Sequence, residues 1–458
     1  APAADPGVQM TTQKRSAPVE RGPALETLLT KIRAREARVG VIGQGYVGLP
    51  LAVVMAEAGF PVVGYDVAVD KVEALNQGRS YIGDIPDERL KAQLDAGLYS
   101  ARATFDDLAD ADVVSICVPT PLSKTRDPDI SYIVAASENV AKRLRPGQLI
   151  VLESTTYPGT TEELVLPIFE ATGLTCGKDY FLCFSPERVD PGNPRFDIRN
   201  TPRLMGGITT ACIEAGAAMY GAFLENVVEM SSTQAAEMAK LLENTFRAVN
   251  IGLVNEVALM CRKLGLESWE VIDAAATKPF GFMRFYPGPG LGGHCIPVDP
   301  HYLSWILKTL NYTARFVELA SEVNTSMPDY VVELVTDALN QERKAVNGSR
   351  VVVIGVAYKA NVSDVRESPA LDVIELIRGR GAEIVFHDPY VPSIRTPHGT
   401  MESQPLTDEL LSSADVVVIT AAHSSIDWRR VAALAPAIVD TRNATRAVEA
   451  PTARILKI

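Results

Sequence analysis

One supersecondary pattern is written twice in this chain, and that repetition constrains the fold more than any other feature. Residues 37–66, "ARVGVIGQGYVGLPLAVVMAEAGFPVVGYD", run from an apolar β-branched stretch through a glycine turn into a helical stretch closed by Gly59. A second apolar run then ends at Asp66. Such a β-α-β unit makes its strands parallel and lays its helix on the sheet. "ADVVSICVPTP" (111–121) and "GQLIVLESTTYPGTT" (147–161) add further strands that run into polar, proline-marked loops. Near the C-terminus "SRVVVIGVAYK" (349–359), "GAEIVFHDP" (381–389), "ADVVVITAA" (414–422) and "PAIVDTRN" (436–443) repeat the plan in the same order.

The expected fold class is therefore α/β, with two doubly wound, Rossmann-like domains joined by a central helical region containing a long helix. The expected division is a flexible tail over 1–36, a first domain over 37–229, a helical region over 230–345 and a second domain over 346–458. With 458 residues the chain is too long for one core, which agrees with that division. Residues 231–267, "SSTQAAEMAKLLENTFRAVNIGLVNEVALMCRKLGLE", open with Ser231 and Gln234 at capping-box spacing and close with Arg262 and Lys263 before Gly265. Apolar residues appear on nearly every face of this helix, so it is expected to be buried, between domains and between subunits.

A formal charge of −12 argues against nucleic acid or an anionic membrane as the main partner. No apolar run is long enough to span a bilayer. Residues 1–22 lack the apolar core of a signal peptide and read as a disordered tail. Six cysteines lie at 117, 176, 183, 212, 261 and 295, without a CxxC pair, so reduced thiols in the cytoplasm are expected.

"GQGYVG" places Gly43, Gly45 and Gly48 in the GxGxxG pattern, after a strand and at the head of a helix. Those glycines suit a tight turn, close approach of a pyrophosphate and helix–strand packing, while Asp66 suits the ribose hydroxyls. A carboxylate there repels a 2′-phosphate, so NAD is favoured over NADP. The matching turn, "GVAYKANVSDVRES" (355–368), has lost that spacing but carries Lys359 and Arg366, fit for a phosphate or simply a solvated loop. Lys240 and Asn244, four apart, share one helix face, either capping a neighbouring loop or meeting something bound. Glu187 in "CFSPERVDPGN" (183–193) precedes a turn, where a glutamate is ordinarily solvated. Cys295 in "GLGGHCIPVDP" (290–300) is either a small buried residue or a displayed thiol; the other five cysteines read as structural. His294 and His301 flank Cys295 without a third ligand, so no metal site is expected.

Taken in order, "GVIGQGYVGLP", "CVPTP", "ESTTYPGTT", "SPERVDPGN", "KLLENTF", "PGPGLGGHCIPVDP" and "GVAYKANVSDVRESPA" resemble the nucleotide-sugar 6-dehydrogenase family, the relatives of UDP-glucose and GDP-mannose dehydrogenases. The resemblance covers about Arg38 to about Asn443. It implies NAD-dependent oxidation of a sugar C6 alcohol to a carboxylate in two hydride transfers, with Cys295 as the covalent nucleophile. It assigns Lys240 to the developing alkoxide and oxyanion, Asn244 to the same oxygen or to water, and Asp299 to orienting Lys240 and that water. Glu187 and Thr120 would assist proton transfer. NAD would be touched by Tyr46, Val47, Lys71, Thr120, Thr155 and Arg366 besides the glycine turn and Asp66. The sugar and its diphosphate would meet Glu187, Arg188, Val189, Lys240, Asn244, Lys359 and the loop Phe285–Gly293, with Phe285, Tyr286, Gly288 and Gly292. The three domains would then be NAD-binding, dimerising with the catalytic cysteine, and nucleotide-sugar-binding.

Arg188 and Pro191 depart from the pattern of UDP-glucose dehydrogenases and resemble the branch acting on UDP-N-acetylhexosamines, particularly UDP-N-acetylglucosamine. UDP-glucose and dTDP-glucose stay open as alternatives. A homodimer or higher homo-oligomer is the implied state. A β-hydroxyacid dehydrogenase would share the first domain and a helical lysine but not need Cys295; a non-catalytic NAD-binding regulator would not need Cys295, Lys240 and Asp299 together.

Overall fold

The computed structural model describes residues 22–123, 127–190, 193 and 195–458. They form two compact units: one runs to Glu243 and takes in His301–Asn311, and the other comprises Asn244–Pro300 and Tyr312–Ile458. The first unit is built on β1 (Val39–Ile42), β2 (Val62–Tyr65), β3 (Tyr99–Arg102), β4 (Val113–Ile116), β5 (Leu149–Leu152), β6 (Phe181–Phe184), β7 (Arg203–Gly207) and β8 (Val227–Glu229). Their order is β3-β2-β1-β4-β5-β6-β7-β8, and every pair is parallel except β6–β7. Helices cover both faces, which is why β1, β4, β5 and β6 are buried at every position and read as unbroken apolar runs. The order reverses between β1 and β4, and ligands of such sheets bind beyond the strand ends at that point.

The flexible tail expected over 1–36 is corrected where the structure describes it; residues 1–21 lie outside the described residues. Pro23–Ala34 is a helix that buries Leu25, Leu28, Leu29 and Ile32. These four recur at helical spacing and pack into the core beside the helix Thr210–Tyr220. Lys31 Nζ and Arg145 Nη2 meet Asp112 Oδ1 at 2.7 and 2.9 Å, and the Arg38 N–H donates to Oδ2 at 3.1 Å.

The second unit carries β9 (Arg350–Ile354), β10 (Glu383–His387), the hairpin β11 (Ser393–Thr396) and β12 (Gly399–Glu402), β13 (Val416–Ile419), β14 (Ala437–Asp440) and β15 (Arg454–Lys457). Its main sheet, β10-β9-β13-β14-β15, is wholly parallel. The repeat extends to hydrogen bonds. Asp66 Oδ2 accepts from the Gln44 N–H at 3.0 Å, and Asp388 Oδ2 accepts from Val356 and Ala357 at 2.7 and 3.1 Å. In both units a carboxylate after the second strand ties down the turn after the first.

The helix Thr233–Leu264 begins in the first unit and continues in the second. Its N-cap is Ser232, whose Oγ accepts from the Ala235 N–H at 3.0 Å, rather than the expected Ser231. Gly265 stops it at φ +71°, with the Leu266 N–H donating to Cys261 O at 2.8 Å. Within one chain its burial is partial. Ala236, Leu241, Ala248, Val254, Ala258 and Cys261 are buried, while Met238, Leu242, Phe246, Leu253 and Met260 form an exposed row, Leu242 at 57% and Leu253 at 54%. In the second unit the helix Arg315–Gln341 crosses it closely at Gly252, where a Cβ would stand 3.2 Å from Ala320.

Candidate active site

In the first unit the turn after β1 is shaped by contacts a side chain would prevent. Gly43 has φ +89°, and a Cβ there would lie 2.5 Å from Cys117 O; one on Gly48 would lie 1.8 Å from Gly43 O. Gly45 is different: no heavy atom lies within 4 Å of where its Cβ would stand. That opening exposes backbone at the head of the ten-residue helix Gly48–Glu57, the positive end of whose dipole attracts a phosphate. Val47 is the N-cap and Tyr46 is exposed beside it. Asp66 accepts from Gln44 N–H and Ala68 N–H through different oxygens and keeps lone pairs for a diol. Lys71 lies over the Tyr81 ring, whose hydroxyl donates to Gln44 O at 2.5 Å. These residues fit a dinucleotide.

The loops after β4 and β5 carry Thr120 and Thr155, both half-buried, and the Ser154 hydroxyl joins them by donating to Val118 O at 2.7 Å. Tyr302 OH donates to Thr120 O at 2.9 Å. Glu187, after β6, is not the solvated glutamate its sequence context suggests. Its Oε1 accepts from the Arg188 and Val189 N–H groups at 2.6 and 2.7 Å, and its Oε2 meets Arg203 at 2.6 Å. Burial raises its pKa above the ordinary carboxylate value, while those N–H groups, Lys240 and Arg188 pull the other way. Lys240 is only 7% exposed, and Glu237, one turn before it, holds the neighbouring loop. The Glu237 carboxylate accepts from Gly159 N–H at 2.6 Å, Thr161 N–H at 3.0 Å and Thr161 Oγ1 at 2.6 Å. Arg188 is committed elsewhere, with Nη2 2.6 Å from Glu243 Oε1 and Nη1 donating to Pro202 O at 2.6 Å. Pro191 lies outside the described residues.

In the second unit Asn244 donates through Nδ2 to the Asp299 carboxylate. Cys295 stands just before the helix Asp299–Thr309 and is half-buried; its carbonyl accepts from Val298 and Asp299 N–H at 3.0 and 2.8 Å. Of the other cysteines all but Cys176 are buried. Gly292 and Gly293 bring the loop against Tyr358, where Cβ atoms would stand 2.7 and 3.0 Å from that side chain. The Gly293 N–H donates to Arg366 O at 3.0 Å, and Arg366 Nη2 reaches His294 Nδ1 at 3.4 Å. Arg366, expected at NAD, thus shares a unit with the thiol loop, its guanidinium also on Asp364. Lys359 lies 5.9 Å from the Tyr358 ring centroid. Phe285 meets Phe246 edge-on at 5.8 Å, and Tyr286 stacks on Trp269 at 4.5 Å. The Gly288 N–H donates to Asn255 Oδ1 at 2.9 Å. Among the described residues no group of three or more His, Cys, Asp or Glu could hold a metal ion.

Two features went unread in the sequence. Arg442 is half-buried, with its guanidinium close against Gly288, and its Nε donates to Thr420 O at 3.0 Å. Desolvation pushes its pKa down to about 10. A cation so placed suits an anionic ligand, and its position in "PAIVDTRN", the counterpart of the Thr155 loop, was the available signal. Glu153 and Arg203 form a buried pair behind Glu187, and no spacing in the sequence brings strands β5 and β7 to one loop.

Three family models match the chain. They are the NAD binding domain, central domain and UDP binding domain of the UDP-glucose/GDP-mannose dehydrogenase family, over residues 37–224, 234–326 and 352–447. The UDP-N-acetyl-D-mannosamine dehydrogenase of Pyrococcus horikoshii is 35% identical over 398 residues, 86% of this chain and 92% of that protein. The UDP-N-acetyl-D-glucosamine 6-dehydrogenase of Pseudomonas aeruginosa is 33% identical over 85% of this chain and 91% of its own length. A solved structure of a UDP-D-ManNAc dehydrogenase from P. horikoshii superposes with a TM-score of 0.83 at 34% identity, covering 91% of this chain and 98% of that one.

Proposed function

The chain belongs to the UDP-glucose/GDP-mannose dehydrogenase family and is an NAD-dependent nucleotide-sugar dehydrogenase, and we propose that it oxidises the C6 alcohol of a UDP-N-acetylhexosamine, UDP-N-acetylglucosamine first, to the uronic acid. The observation that carries the proposal is Cys295, displayed at a helix head beside Asp299 and the Asn244 amide it holds. The Gly43–Gly48 turn and Asp66 would hold NAD+, which would supply the hydride acceptor, one molecule for each of the two oxidations.

Lys240, nearly dry on its helix, stabilises the alkoxide that forms as the C6 hydroxyl loses its proton. The Cys295 sulfur adds to the aldehyde carbon, so the intermediate is retained as a thiohemiacetal rather than released. Loss of a second hydride leaves a thioester, and water cleaves it to the carboxylate and the free thiol. Asn244 donates to the same oxygen, Asp299 fixes Asn244, and Glu187 and Thr120 pass protons through water. Lys359, Arg442 and the backbone of 285–293 hold the UDP-sugar. The Arg188 guanidinium being committed to Glu243, this loop acts on the C2 substituent through its shape.

A second reading, UDP-N-acetylmannosamine, is favoured by the 35% identical relative named for that sugar. NADH formation with UDP-N-acetylglucosamine, UDP-N-acetylmannosamine, UDP-glucose and dTDP-glucose tests the proposal. Two NADH per carboxylate are expected, with an N-acetylated sugar about tenfold or more ahead in kcat/KM. Preference for UDP-glucose or dTDP-glucose would overturn the choice of sugar. The exposed apolar row on Thr233–Leu264 suits a homodimer, and a catalytic free thiol suits a reducing cytoplasm. Among the described residues no helix is long and apolar enough to cross a membrane.

A further inference from the structure

A buried row of charges stands behind the loop that carries Glu187. The Arg203 side chain, at the start of β7, is 3% exposed, and that of Glu153, one residue past β5, is fully buried. Each nitrogen of the guanidinium has a partner: Nη2 meets Glu153, Nη1 meets Glu187 Oε2 at 2.6 Å, and Nε donates to Ser185 Oγ at 3.1 Å. Glu153 is held from the other side by the Tyr220 hydroxyl. With Oε1 of Glu187 fixed by two backbone N–H groups, the whole carboxylate is locked in one orientation. A buried ion pair adds little net stability over apolar residues of the same volume. Two carboxylates around one guanidinium are therefore better explained by what they do to Glu187.

We propose that Arg203, anchored by Glu153, is the positioning residue that aims the Glu187 carboxylate and keeps it a proton acceptor when water cleaves the thioester. The inference rests on the role given to Glu187 above. The groups facing Glu187 are Arg203 from β7, Glu153 through Arg203 from β5, Lys240 from the long helix, Arg188 from its own loop, and the Cys117 thiol beyond β4. Tyr220 closes the far side of Glu153. Without the Arg203 charge, the buried Glu153 and the half-buried Glu187 become two carboxylates beside one another, and one of them takes up a proton. Without the Glu153 charge, Arg203 serves Glu187 alone and holds it ionised to lower pH.

The test is the pH profile of kcat, with NAD+ and the best sugar of the panel, between about pH 5.5 and about pH 10. Arg203→Gln should move the acid limb up by about one pH unit or more and cut kcat at neutral pH about tenfold. Arg203→Lys should restore most of the limb. Glu153→Gln should move it in the opposite direction, and the double variant should bring it back toward wild type. A purely structural Arg203 would lower activity equally at every pH, and an unmoved limb in Arg203→Gln overturns the proposal. Should Arg203→Gln not fold, Glu153→Gln decides alone: a downward shift supports positioning and no shift refutes it. Glu187→Gln separates the two readings. A wild-type acid limb in that variant overturns the role of Glu187; a limb lost there yet unmoved in the others overturns only the role of Arg203.

Discussion

A thiol in contact with solvent and placed at the head of a helix is chemically available in a way that a core cysteine is not. Cys295 meets that description, whereas burial pushes the Cys117 thiol up to about 12. Cys295→Ala should abolish carboxylate formation while leaving NAD+ binding, read by calorimetry, unchanged; sustained carboxylate release by this variant would exclude the covalent route. Cys295→Ser should instead accumulate an ester-linked sugar visible by intact mass spectrometry, because an alkoxide leaves less readily than a thiolate. Lys240→Ala should lower kcat by roughly two to three orders of magnitude, the usual effect of removing an oxyanion stabiliser. A rise confined to KM would make Lys240 a binding residue only. Asp66 is expected to reject the 2′-phosphate of NADP+, so Asp66→Ala should narrow the NAD+ preference measured as a ratio of kcat/KM.

At the scale of elements, Asp112 joins three segments: the helix Pro23–Ala34 through Lys31, the start of β1 through Arg38 N–H, and the loop before β5 through Arg145. Burial alone would raise its pKa, but Lys31, Arg145 and the Arg38 N–H together hold it below the ordinary aspartate value. A depressed folded-state value means stability that is present above about pH 4, the unfolded value, and is lost as pH falls through the folded one. Lys31 and Arg145 are well over a third exposed, so solvent screens their share. Asp112→Asn should therefore cost about 1–3 kcal/mol near neutral pH. In denaturant melts the gap from wild type should shrink as pH falls below about 4; a gap independent of pH would assign the loss to packing.

For the whole molecule, the unresolved demand is the exposed row Met238, Leu242, Phe246, Leu253 and Met260 on one helix, with Phe316 and Leu319 exposed on another. Solvating so many large apolar side chains on two helices is costly, and a second copy would relieve it. Sedimentation should give twice the 49.4 kDa chain mass or a higher multiple. Leu253→Glu should shift the protein toward the monomer with its far-ultraviolet circular dichroism unchanged; an unaltered mass would place the interface elsewhere.

Local chemistry made much of this legible from the sequence alone. The two parallel sheets follow from apolar runs that helices must cover on both faces. The turn follows from Gly43 and Gly48, where a Cβ would strike backbone, and from Gly45, which leaves the backbone open; the end of the long helix follows from Gly265, a residue free to take positive φ. Cofactor and family followed from motifs that keep their order along the chain. The helix Pro23–Ala34 was missed because its Leu25, Leu28, Leu29 and Ile32 are interpretable only once the helix Thr210–Tyr220 lies beside them. Arg188, expected at the sugar, is held by Glu243, and nothing in the sequence marks that pair. Glu153, Arg203 and Glu187 come from three separate strand ends, 153 to 203 along the chain, and nothing local marks them as partners. Sequence fixes what each segment can become through short-range sterics and apolar periodicity. Which buried charges face one another is decided by sheet order, because desolvated charges find their partners only where the strands carrying them end side by side.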